Sequence, residues 1–343
     1  MEPGVKRSVF PKTRKVISVL LVGLLLFIVA KAIVTATQFV RSTGLSPTAV
    51  GRLLFDGGSA LVQTEGRTNV LVLGIAGGDH AGAKLTDTIL VLSLKPEDKA
   101  MDLISIPRDI WSDTLKDRIN SAYFYGEEKR EGGGLTLARA IIEDITGLTL
   151  HYGLVVDFSG FKEMIDLVGG VDVDVPKAFT DPEFPIVGKE EDLCGGDPSY
   201  ACRYESLHFN AGLQHMDGET ALKYVRSRHA EGGEGTDFAR GRRQQEVILA
   251  VRQKLTDLAH WTSPAKVRSF IDTVDEMTQS DMTIGELLTI GKLGIEADDT
   301  KTKRISIEDL LYSPPASWYG RYVLLPVESF ERVHEYIASQ LED

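Results

Sequence analysis

Cysteine is scarce in this sequence: the 343 residues include two, Cys194 and Cys202. A zinc site built on this pair would need further sulfur or nitrogen ligands, and the pair lacks nearby histidines at ligand spacing. If this part of the chain is exported to an oxidising compartment, a local disulfide between the two cysteines is the expected state. Formation of the Cys194–Cys202 disulfide is therefore expected only if this part of the chain is exported.

Net positive charge is also lacking. The sequence has 50 Asp and Glu residues against 38 Lys and Arg residues, which gives a formal net charge of −12. Proteins that bind nucleic acid through its phosphates need a broad basic surface, so we expect no nucleic-acid partner. The short basic stretch at the N-terminus is too small to form a DNA-binding domain, and this argues against a transcriptional role.

Long apolar runs are lacking except near the N-terminus. Residues 16–30 are predominantly apolar, and Lys31 alone interrupts the continuation to Val40. About 20 apolar residues span a bilayer, so we predict a transmembrane helix over residues 16–37. The Lys and Arg residues before it place residues 1–15 in the cytoplasm and the rest of the chain outside the cell membrane. A cleaved signal peptide ending at residues 34–36 is the alternative, and it predicts export as well.

Residues 38–66 are predicted to form a stalk, and residues 67–343 one extracytoplasmic domain. Three apolar runs at 69–75, 88–94 and 101–106 predict buried strands, and the short turn between the last two favours an antiparallel hairpin. Strands mixed with helices over this length predict a three-layer α/β/α sandwich with a central mixed, largely antiparallel sheet. Further helices are predicted at 134–145, 158–168, 264–277, 284–293 and 329–340, and further strands at 171–175 and 322–326.

An arginine-rich segment at residues 226–245 carries the strongest functional signal. If residues 238–258 form a helix, one stripe of its surface is apolar except in the first turns. The members of that stripe are Arg240, Gln244, Ile248, Val251, Leu255 and Leu258. A buried arginine needs an anionic partner, because an unpaired buried charge costs several kcal/mol. Arg242 points away from the stripe, and we expect it on a solvated face.

The start of this helix predicts an anion site. Asp237 stands at the expected N-cap position, and the free N–H groups of a helix N-terminus favour anions. Arg226 and Arg228 lie just before the glycine-rich loop that leads to the helix. Guanidinium groups bind phosphate bidentately, so convergence of these arginines predicts a phosphate or pyrophosphate pocket. The alternative is that they pair with carboxylates of an acidic surface.

Two carboxylates lie near the first strands. Asp79 ends a glycine-rich loop after residues 69–75, and Asp87 opens the next strand. Two carboxylates plus substrate phosphates are a common Mg²⁺ site, and Mn²⁺ accepts the same oxygen ligands. The alternative is that each aspartate only caps a turn. Arg108 follows a proline that ends the third strand, and this places its charge near the same sheet edge.

Taken in order, these motifs resemble the LytR-CpsA-Psr family, whose members sit in the bacterial membrane with the catalytic domain outside. The resemblance covers residues 67–258 firmly and 258–343 loosely. It is carried by eight segments, at residues 69–75, 86–88, 105–109, 118–123, 168–173, 213–222, 224–228 and 237–245.

The resemblance implies a phosphotransferase that moves a glycopolymer from a polyprenyl pyrophosphate carrier to cell-wall peptidoglycan and leaves a phosphodiester. It implies Mg²⁺ held by Asp79 and Asp87. It also implies that the pyrophosphate oxygens are bound by Arg108, Arg226, Arg228, Arg240 and Gln244. Of all these residues, Asp87, Arg108 and Arg228 would be catalytic, with Asp87 as the candidate base for the acceptor hydroxyl.

One departure from the family pattern is Leu85, where an arginine is common. Lys84, one residue earlier, is the candidate for the missing charge, but it lies on the other face of a regular strand. The prenyl chain needs an apolar groove, and the predicted helix at 158–168 offers lining residues, although such spacing is more often plain core. Those residues are Phe158, Phe161, Met164, Ile165 and Val168.

Two other functions are compatible with the same residues. A lipid pyrophosphate hydrolase would use the same groups with water as the acceptor. A noncatalytic protein that binds lipid-linked wall precursors would recognise the phosphates through its arginines and would not depend on Mg²⁺. The products and the metal dependence therefore distinguish the three functions.

Overall fold

The structure is a computed structural model, and it describes residues 61–78, 82–189, 191–256 and 264–342. The predicted cytoplasmic tail, the transmembrane segment at 16–37 and most of the stalk lie outside these residues, as does Asp79. Among the helices of the described ranges, none combines the length and apolar character that crossing a bilayer requires.

A six-stranded mixed sheet forms the centre of the fold. Its strands are β1 (Thr68–Ile75), β2 (Thr86–Lys95), β3 (Ala100–Ser105), β6 (Tyr152–Asp157), β11 (Thr278–Ser280) and β12 (Arg304–Ser306), in the order β11-β6-β1-β2-β3-β12. The pairs β1–β2, β2–β3 and β6–β11 are antiparallel, whereas β1–β6 and β3–β12 are parallel. The predicted mixed sheet and the β2–β3 hairpin are confirmed. Strand β6, which was not predicted, lies beside β1.

Four smaller ladders surround this sheet. They pair β4 (Trp111–Ser112) with β5 (Asp117–Arg118), β7 (Val171–Val175) with β10 (Gly212–Met216), β8 (Phe179–Pro185) with β9 (Tyr204–Phe209), and β13 (Leu311–Tyr312) with β14 (Leu325–Pro326). The helices of the described ranges are α1 (Ala122–Lys129), α2 (Gly134–Thr146), α3 (Phe158–Leu167), α4 (Gly218–Arg226), α5 (Asp237–Leu255), α6 (Pro264–Met277), α7 (Ile284–Glu296) and α8 (Phe330–Glu342).

Helices cover both faces of the central sheet. On one face, Leu71 of β1 belongs to a core that includes Ile141 of α2 and Ile337 of α8. On the other face, Val70 belongs to a core that includes Ile290 of α7. Successive residues of a strand point to opposite faces, so β1 is buried on both sides and is apolar throughout its centre.

The apolar run predicted as a strand at 322–326 forms a shorter one. Only Leu325–Pro326 makes a ladder, with β13. Val323 and Leu324 are buried, and Leu324 makes an isolated parallel bridge to Ile110. The buried part of this run is therefore apolar because it packs against the chain that follows β3. Only the end of the run joins a ladder, and that ladder has two strands.

Helix α5 begins one residue earlier than the sequence predicted. Its N-cap is Thr236, whose Oγ1 accepts a hydrogen bond from Ala239 N at 3.1 Å. The prediction that Asp237 is the N-cap is wrong. Threonine and aspartate are both good N-caps, and placing the cap on Thr236 leaves the carboxylate of Asp237 free for side-chain partners.

Candidate functional site

The candidate site lies at the edge of the central sheet where β1, β3 and β6 end and β2 begins. Ile75, the last residue of β1, lies opposite Asp157 of β6 and Thr86 of β2. The chain leaves β3 so that Arg108 forms an ion pair with Asp87 on β2. Asp87 and Arg108, two predicted site residues from different parts of the sheet, are therefore adjacent, because the sheet topology brings the start of β2 and the end of β3 together.

A cavity of about 390 Å³ opens at this edge between the sheet and helices α3, α4 and α5. Most of its lining is apolar, and includes Val72, Leu154, Phe161, Met164, Leu222 and Ile248. Its polar lining groups are Asp87, Thr88, Asp157, Arg226, Arg228, Arg240 and Gln244. A cavity of this kind suits an amphipathic ligand with a long apolar part and an anionic head.

The cavity takes in most of the side chains that the sequence singled out on α3. Phe158, Phe161, Met164 and Ile165 line it, whereas Val168 is buried in the neighbouring core. The apolar spacing of this helix therefore serves two purposes, because one part of its apolar face builds the core and another part faces the cavity.

Arg240 is 5% exposed and has the anionic partner that a buried arginine requires. Its Nη2 lies 2.7 Å from Oδ1 of Asp237, one turn earlier in α5. Asp237 is hydrogen-bonded to Asp109, and Oδ2 of Asp109 lies 3.5 Å from Nε of Arg108. Asp87 pairs with Arg108 and Arg118 pairs with Asp109, so three arginines and three aspartates form one cluster at the sheet edge, which we call the arginine cluster.

Two carboxyl groups of the arginine cluster, those of Asp109 and Asp237, differ in acidity. Burial, followed by the hydrogen bond with Asp237, raises the pKa of Asp109. Burial also favours the protonated form of Asp237, but the charge of Arg240 and the hydrogen bond from Asp109 outweigh it and lower the pKa of Asp237. Asp109 is therefore the weaker acid of the two.

The two arginines beside Ser227 lie in different surroundings. The guanidinium carbon of Arg226 is 4.2 Å from the ring centroid of Phe158 and 5.5 Å from that of Phe184. Both rings line the cavity, so Arg226 makes cation–π contacts at its wall. Arg228 is exposed and lines the cavity, and it has no ion-pair partner within the described ranges. Its guanidinium group is therefore available to an anionic ligand.

Two adjacent glutamines attach α5 to the sheet. Nε2 of Gln244 donates to Oγ1 of Thr88 on β2 at 2.7 Å. Gln245, which the sequence analysis missed, is buried and donates to the carbonyl of Leu103 at 3.1 Å and to Oγ of Ser105 at 2.9 Å. These bonds attach the middle of α5 to β2 and β3 near the strand ends that form the site.

Asp181 on β8 positions the segment that carries Arg228, and the sequence analysis missed it. Its fully buried carboxylate accepts hydrogen bonds from Oγ of Ser227 at 2.7 Å, from N of Arg228 at 3.0 Å and from N of His229 at 3.2 Å. Burial favours the protonated form, but these hydrogen bonds outweigh it and lower the pKa of Asp181. The amide of Glu183 also donates to this carboxylate at 3.1 Å, but the partners that matter for Arg228 lie more than 40 residues away, so no local pattern marks this role.

Arg243 holds the same segment through its carbonyl groups. Its side chain is 2% exposed, and Nε donates to the carbonyl of Tyr224 at 3.0 Å while Nη2 donates to that of Ser227. Nη1 donates to the carbonyl of Glu234 at 3.0 Å, and the guanidinium carbon lies 4.8 Å above the ring centroid of Phe179. Nη1 also donates to Oε2 of Glu234 at 3.3 Å, so Arg243 binds three main-chain oxygens and one carboxylate, and it does not line the cavity.

The described residues of the predicted metal site fit a magnesium ion in part. The Asp87 side chain is 35% exposed and lines the cavity. Asp157, missed because β6 was not predicted, lies against the loop after β1, where a Cβ on Gly77 would be 2.9 Å from its own Cβ. Mg²⁺ is commonly held by one or two carboxylates plus substrate phosphates. Among the described residues, the carboxylates of Asp87 and Asp157 suit that chemistry.

The remaining predicted residues do not line the cavity. Cys194 and Cys202 form a disulfide between β8 and β9, and neither cysteine lines the cavity. Lys84 is exposed and Leu85 is half-buried, and the cavity lining includes neither of them. Arg242 is 52% exposed, as its position off the helical stripe predicts, and its nearest carboxylate oxygen is that of Glu308 at 3.9 Å.

Residues 43–328 match the family model described as the LytR_cpsA_psr family. A polyisoprenyl-teichoic acid–peptidoglycan teichoic acid transferase, TagV of Bacillus subtilis (strain 168), is 28% identical over 260 residues, which cover 73% of this chain and 59% of the relative. A transferase of the same description, TagU of Bacillus cereus, is 29% identical over 221 residues, which cover 62% of each chain. This chain therefore spans about three fifths of the length of these curated relatives.

Solved structures share the fold. The crystal structure of B. subtilis TagV aligns with a TM-score of 0.57 and 25% identity, and the alignment covers 82% of this chain and 99% of that one. A structure of TagT bound to LI-WTA aligns with a TM-score of 0.55 and 21% identity over 84% of this chain and 94% of that one. The mixed α/β architecture is therefore the fold of these proteins, and the resemblance carried by the motifs is confirmed.

Proposed function

The chain belongs to the LytR-CpsA-Psr family, and from this premise we propose that it is a phosphotransferase that moves a glycopolymer from a polyprenyl pyrophosphate carrier to cell-wall peptidoglycan. The relatives TagV and TagU are named as transferases that act on polyisoprenyl-teichoic acid and peptidoglycan. Teichoic acid is one member of the class of polymers that we propose for this chain.

One observation carries the proposal: a largely apolar cavity meets a group of arginines at the edge of a sheet. A prenyl chain removed from water gains about 25 cal/mol per Å² of apolar surface that it buries. A pyrophosphate at the head of that chain would face Arg228 and Arg240, whose guanidinium groups suit phosphate oxygens. A free sugar phosphate or a nucleotide would leave the apolar wall unused.

In the proposed reaction, the oxygen of an acceptor sugar hydroxyl attacks the phosphorus that carries the glycopolymer. A new P–O bond forms while the bond to the bridging oxygen of the pyrophosphate breaks, so polyprenyl monophosphate leaves and a phosphodiester joins polymer and acceptor. The hydroxyl proton passes to Asp87. Arg108, Arg228 and Arg240 neutralise the negative charge that grows on the transferring and leaving phosphates.

Magnesium belongs to this proposal, with manganese as the alternative ion. Asp79 and Asp87 would hold it beside the pyrophosphate, and Asp157 lies close enough to the same loop to support them. A bound ion would reduce the negative charge of the pyrophosphate and thereby favour attack by the acceptor oxygen.

We also propose that residues 16–37 anchor the chain in the cell membrane, with residues 1–15 in the cytoplasm and the catalytic part outside. The apolar run and the basic residues before it support this topology. A prenyl carrier is confined to the bilayer, so an anchor raises the concentration of the enzyme near its substrate.

The test uses the full chain in detergent micelles with a short-chain prenyl pyrophosphate as the probe. We expect release of prenyl monophosphate that requires Mg²⁺ and is restored by Mg²⁺ after chelation. Arg228→Ala should reduce turnover at least 100-fold, because it removes a donor to the charge that develops in the transition state. Arg242→Ala is the matched control, since Arg242 is an arginine of the same segment that does not line the cavity.

The products then separate the candidate functions. Addition of the lipid-linked glycopolymer and purified peptidoglycan should give polymer joined to peptidoglycan. Prenyl monophosphate and released sugar phosphate without any joined product would support a lipid pyrophosphate hydrolase. Metal-independent binding without turnover would support a noncatalytic binding protein, and absence of binding would contradict all three functions.

A further inference from the structure

Four aromatic residues lie on two chain segments that are hydrogen-bonded to each other, β4 and residues 318–324. Trp111 of β4 contacts Tyr319, with ring centroids 4.8 Å apart and ring planes at 63°. Trp318 precedes Tyr319 and is 71% exposed, and Tyr322 is 49% exposed. We call Trp111, Trp318, Tyr319 and Tyr322 the aromatic platform. Groups of exposed apolar side chains on a folded domain commonly mark a ligand-binding surface.

Hydrogen bonds hold the backbone of the aromatic platform in place. The amide of Trp111 donates to the carbonyl of Leu324 at 3.0 Å. Nη1 of Arg321 donates to Oδ1 of Asp117 at 3.0 Å, and the hydroxyl of Tyr125 donates to Oδ2 of the same residue at 2.8 Å. The segments that carry the platform are therefore hydrogen-bonded to each other and to β5, so a ligand would bind without first ordering a loop.

The aromatic platform adjoins the arginine cluster. The amide of Leu324 donates to the carbonyl of Asp109 at 2.9 Å, and the carboxylate of Asp109 contacts Arg108. Burial, followed by the negative charges of Asp237 and Asp109, raises the pKa of Tyr322. Tyr322 lies two residues before Leu324, whose hydrogen bond to Asp109 places the aromatic platform beside the arginine cluster.

We propose that the aromatic platform binds the acceptor glycan, a strand of pyranose rings such as peptidoglycan. This inference rests on the proposed function and adds the surface that receives the acceptor. The apolar C–H faces of pyranose rings pack on flat aromatic rings, while Arg321, Asp117 and the hydroxyl of Tyr322 offer hydrogen bonds to sugar hydroxyls. An in-line displacement needs the acceptor oxygen opposite the leaving group, so a glycan that avoids the lipid cavity suits the reaction.

The charges around the rings favour a glycan over a lipid surface. Arg321 is 52% exposed and its partner Asp117 is 18% exposed. Burying this pair in hydrocarbon would be costly, whereas both side chains can hydrogen-bond to a sugar.

The test measures glycan binding directly and needs no turnover. Fluorescein-labelled peptidoglycan oligosaccharides, free of attached polymer, are titrated into the full chain in detergent micelles, and binding is followed by fluorescence anisotropy. We expect Trp318→Ala combined with Tyr322→Ala to raise the Kd at least tenfold. Trp318→Phe with Tyr322→Phe, which keeps the rings, should stay within about threefold of the unchanged chain. Tyr204→Ala is the matched control, because Tyr204 is an exposed aromatic residue of β9.

Each outcome decides the inference. Glycan binding that is equal in the double alanine variant and the unchanged chain would overturn it. Loss of binding to vesicles of anionic phospholipid, with glycan binding intact, would also overturn it and assign the platform to the membrane. Urea unfolding of each variant identifies any loss that is due to misfolding, in which case the double phenylalanine variant and single alanine variants decide. If the chain binds glycan through the platform but releases no prenyl monophosphate, the proposed function fails and this inference stands.

Discussion

Two arginines of α5, Arg240 and Arg243, are three residues apart and similarly buried, yet Arg240 lines the cavity and Arg243 does not. Arg240 is 5% exposed, faces the cavity and pairs with the carboxylate of Asp237. Arg243 is 2% exposed, donates to main-chain carbonyls that include those of Tyr224 and Ser227, and also lies 3.3 Å from the carboxylate of Glu234. Burial therefore does not separate a binding arginine from a structural one in this protein, whereas access to the cavity does.

The direction of the pKa shift does not distinguish the two arginines either. Burial is the largest influence on both guanidinium groups, and it lowers the pKa of each. The difference lies in which donors remain for a ligand. Arg243 has its N–H groups directed at carbonyls of the chain, whereas Arg240 presents part of its fork to a cavity. Substituting the two residues in the same way should therefore produce different losses.

The largest expected effect is on catalysis in Arg240→Lys. The lysine keeps a positive charge beside Asp237, so the free energy of unfolding should change by no more than about 1 kcal/mol. It cannot form the planar two-donor contact with a phosphate, so kcat/KM for prenyl monophosphate release should fall about 100-fold. Steady-state kinetics and urea unfolding on the same preparation measure both quantities.

Arg243→Lys is the matched substitution on the other side of the comparison. One ammonium group cannot satisfy carbonyls that lie in different directions, so the free energy of unfolding should fall by about 2–3 kcal/mol. Activity per folded molecule should fall less than in Arg240→Lys, because Arg243 does not line the cavity. A 100-fold loss of kcat/KM with unchanged stability would show that Arg243 contacts the substrate and would remove the distinction.

Local patterns were sufficient to predict the elements on which both arginines depend. The apolar runs of β1, β2 and β3 predicted the centre of the sheet, and helical spacing placed Arg240 and Gln244 on the stripe that continues into the cavity wall. Each of these predictions used residues within about one element of each other, where periodicity has a direct physical meaning.

The residues that sequence analysis missed depend on contacts across the fold. Asp181 meets the segment around Ser227 more than 40 residues away, and Asp157 reaches the site only because β6 pairs with β1. The error at Asp237 was local, since Thr236 and Asp237 are both suitable caps. The choice between them is made by the arginine cluster, where Asp237 bonds to Asp109 and pairs with Arg240.

Asp181→Asn tests the second residue that holds the segment around Ser227, because Asp181 accepts hydrogen bonds from this segment whereas Arg243 donates to its carbonyls. The pKa of Asp181 is lowered from its ordinary value of 3.8, so its carboxylate stabilises the fold above that value and loses the effect as the pH falls through the folded-state pKa. The asparagine variant should be less stable by about 1–2 kcal/mol at neutral pH. Its unfolding free energy should also fall less steeply than that of the unchanged chain at pH below about 4.

The pH series separates a loss of charge from a general loss of packing in that variant. A packing defect would lower the unfolding free energy equally at neutral and acidic pH. Convergence of the two chains in acid is the expected result, because the unchanged chain is then protonated at Asp181. Parallel curves would contradict the assignment of the ionised carboxylate as the group that holds Ser227, Arg228 and His229.

Arg242→Ala should have the smallest effect, and it completes the comparison among the arginines of α5. Arg242 is 52% exposed and its ion pair with Glu308 is loose, at 3.9 Å, so its loss should change the free energy of unfolding by no more than about 0.5 kcal/mol. Prenyl monophosphate release should be unchanged, because the side chain does not line the cavity. If Arg242→Ala instead reduced transfer to peptidoglycan while sparing monophosphate release, the acceptor would reach this face of α5. The division between binding and structural arginines would then need a third class, set by contact with the acceptor and unrelated to burial.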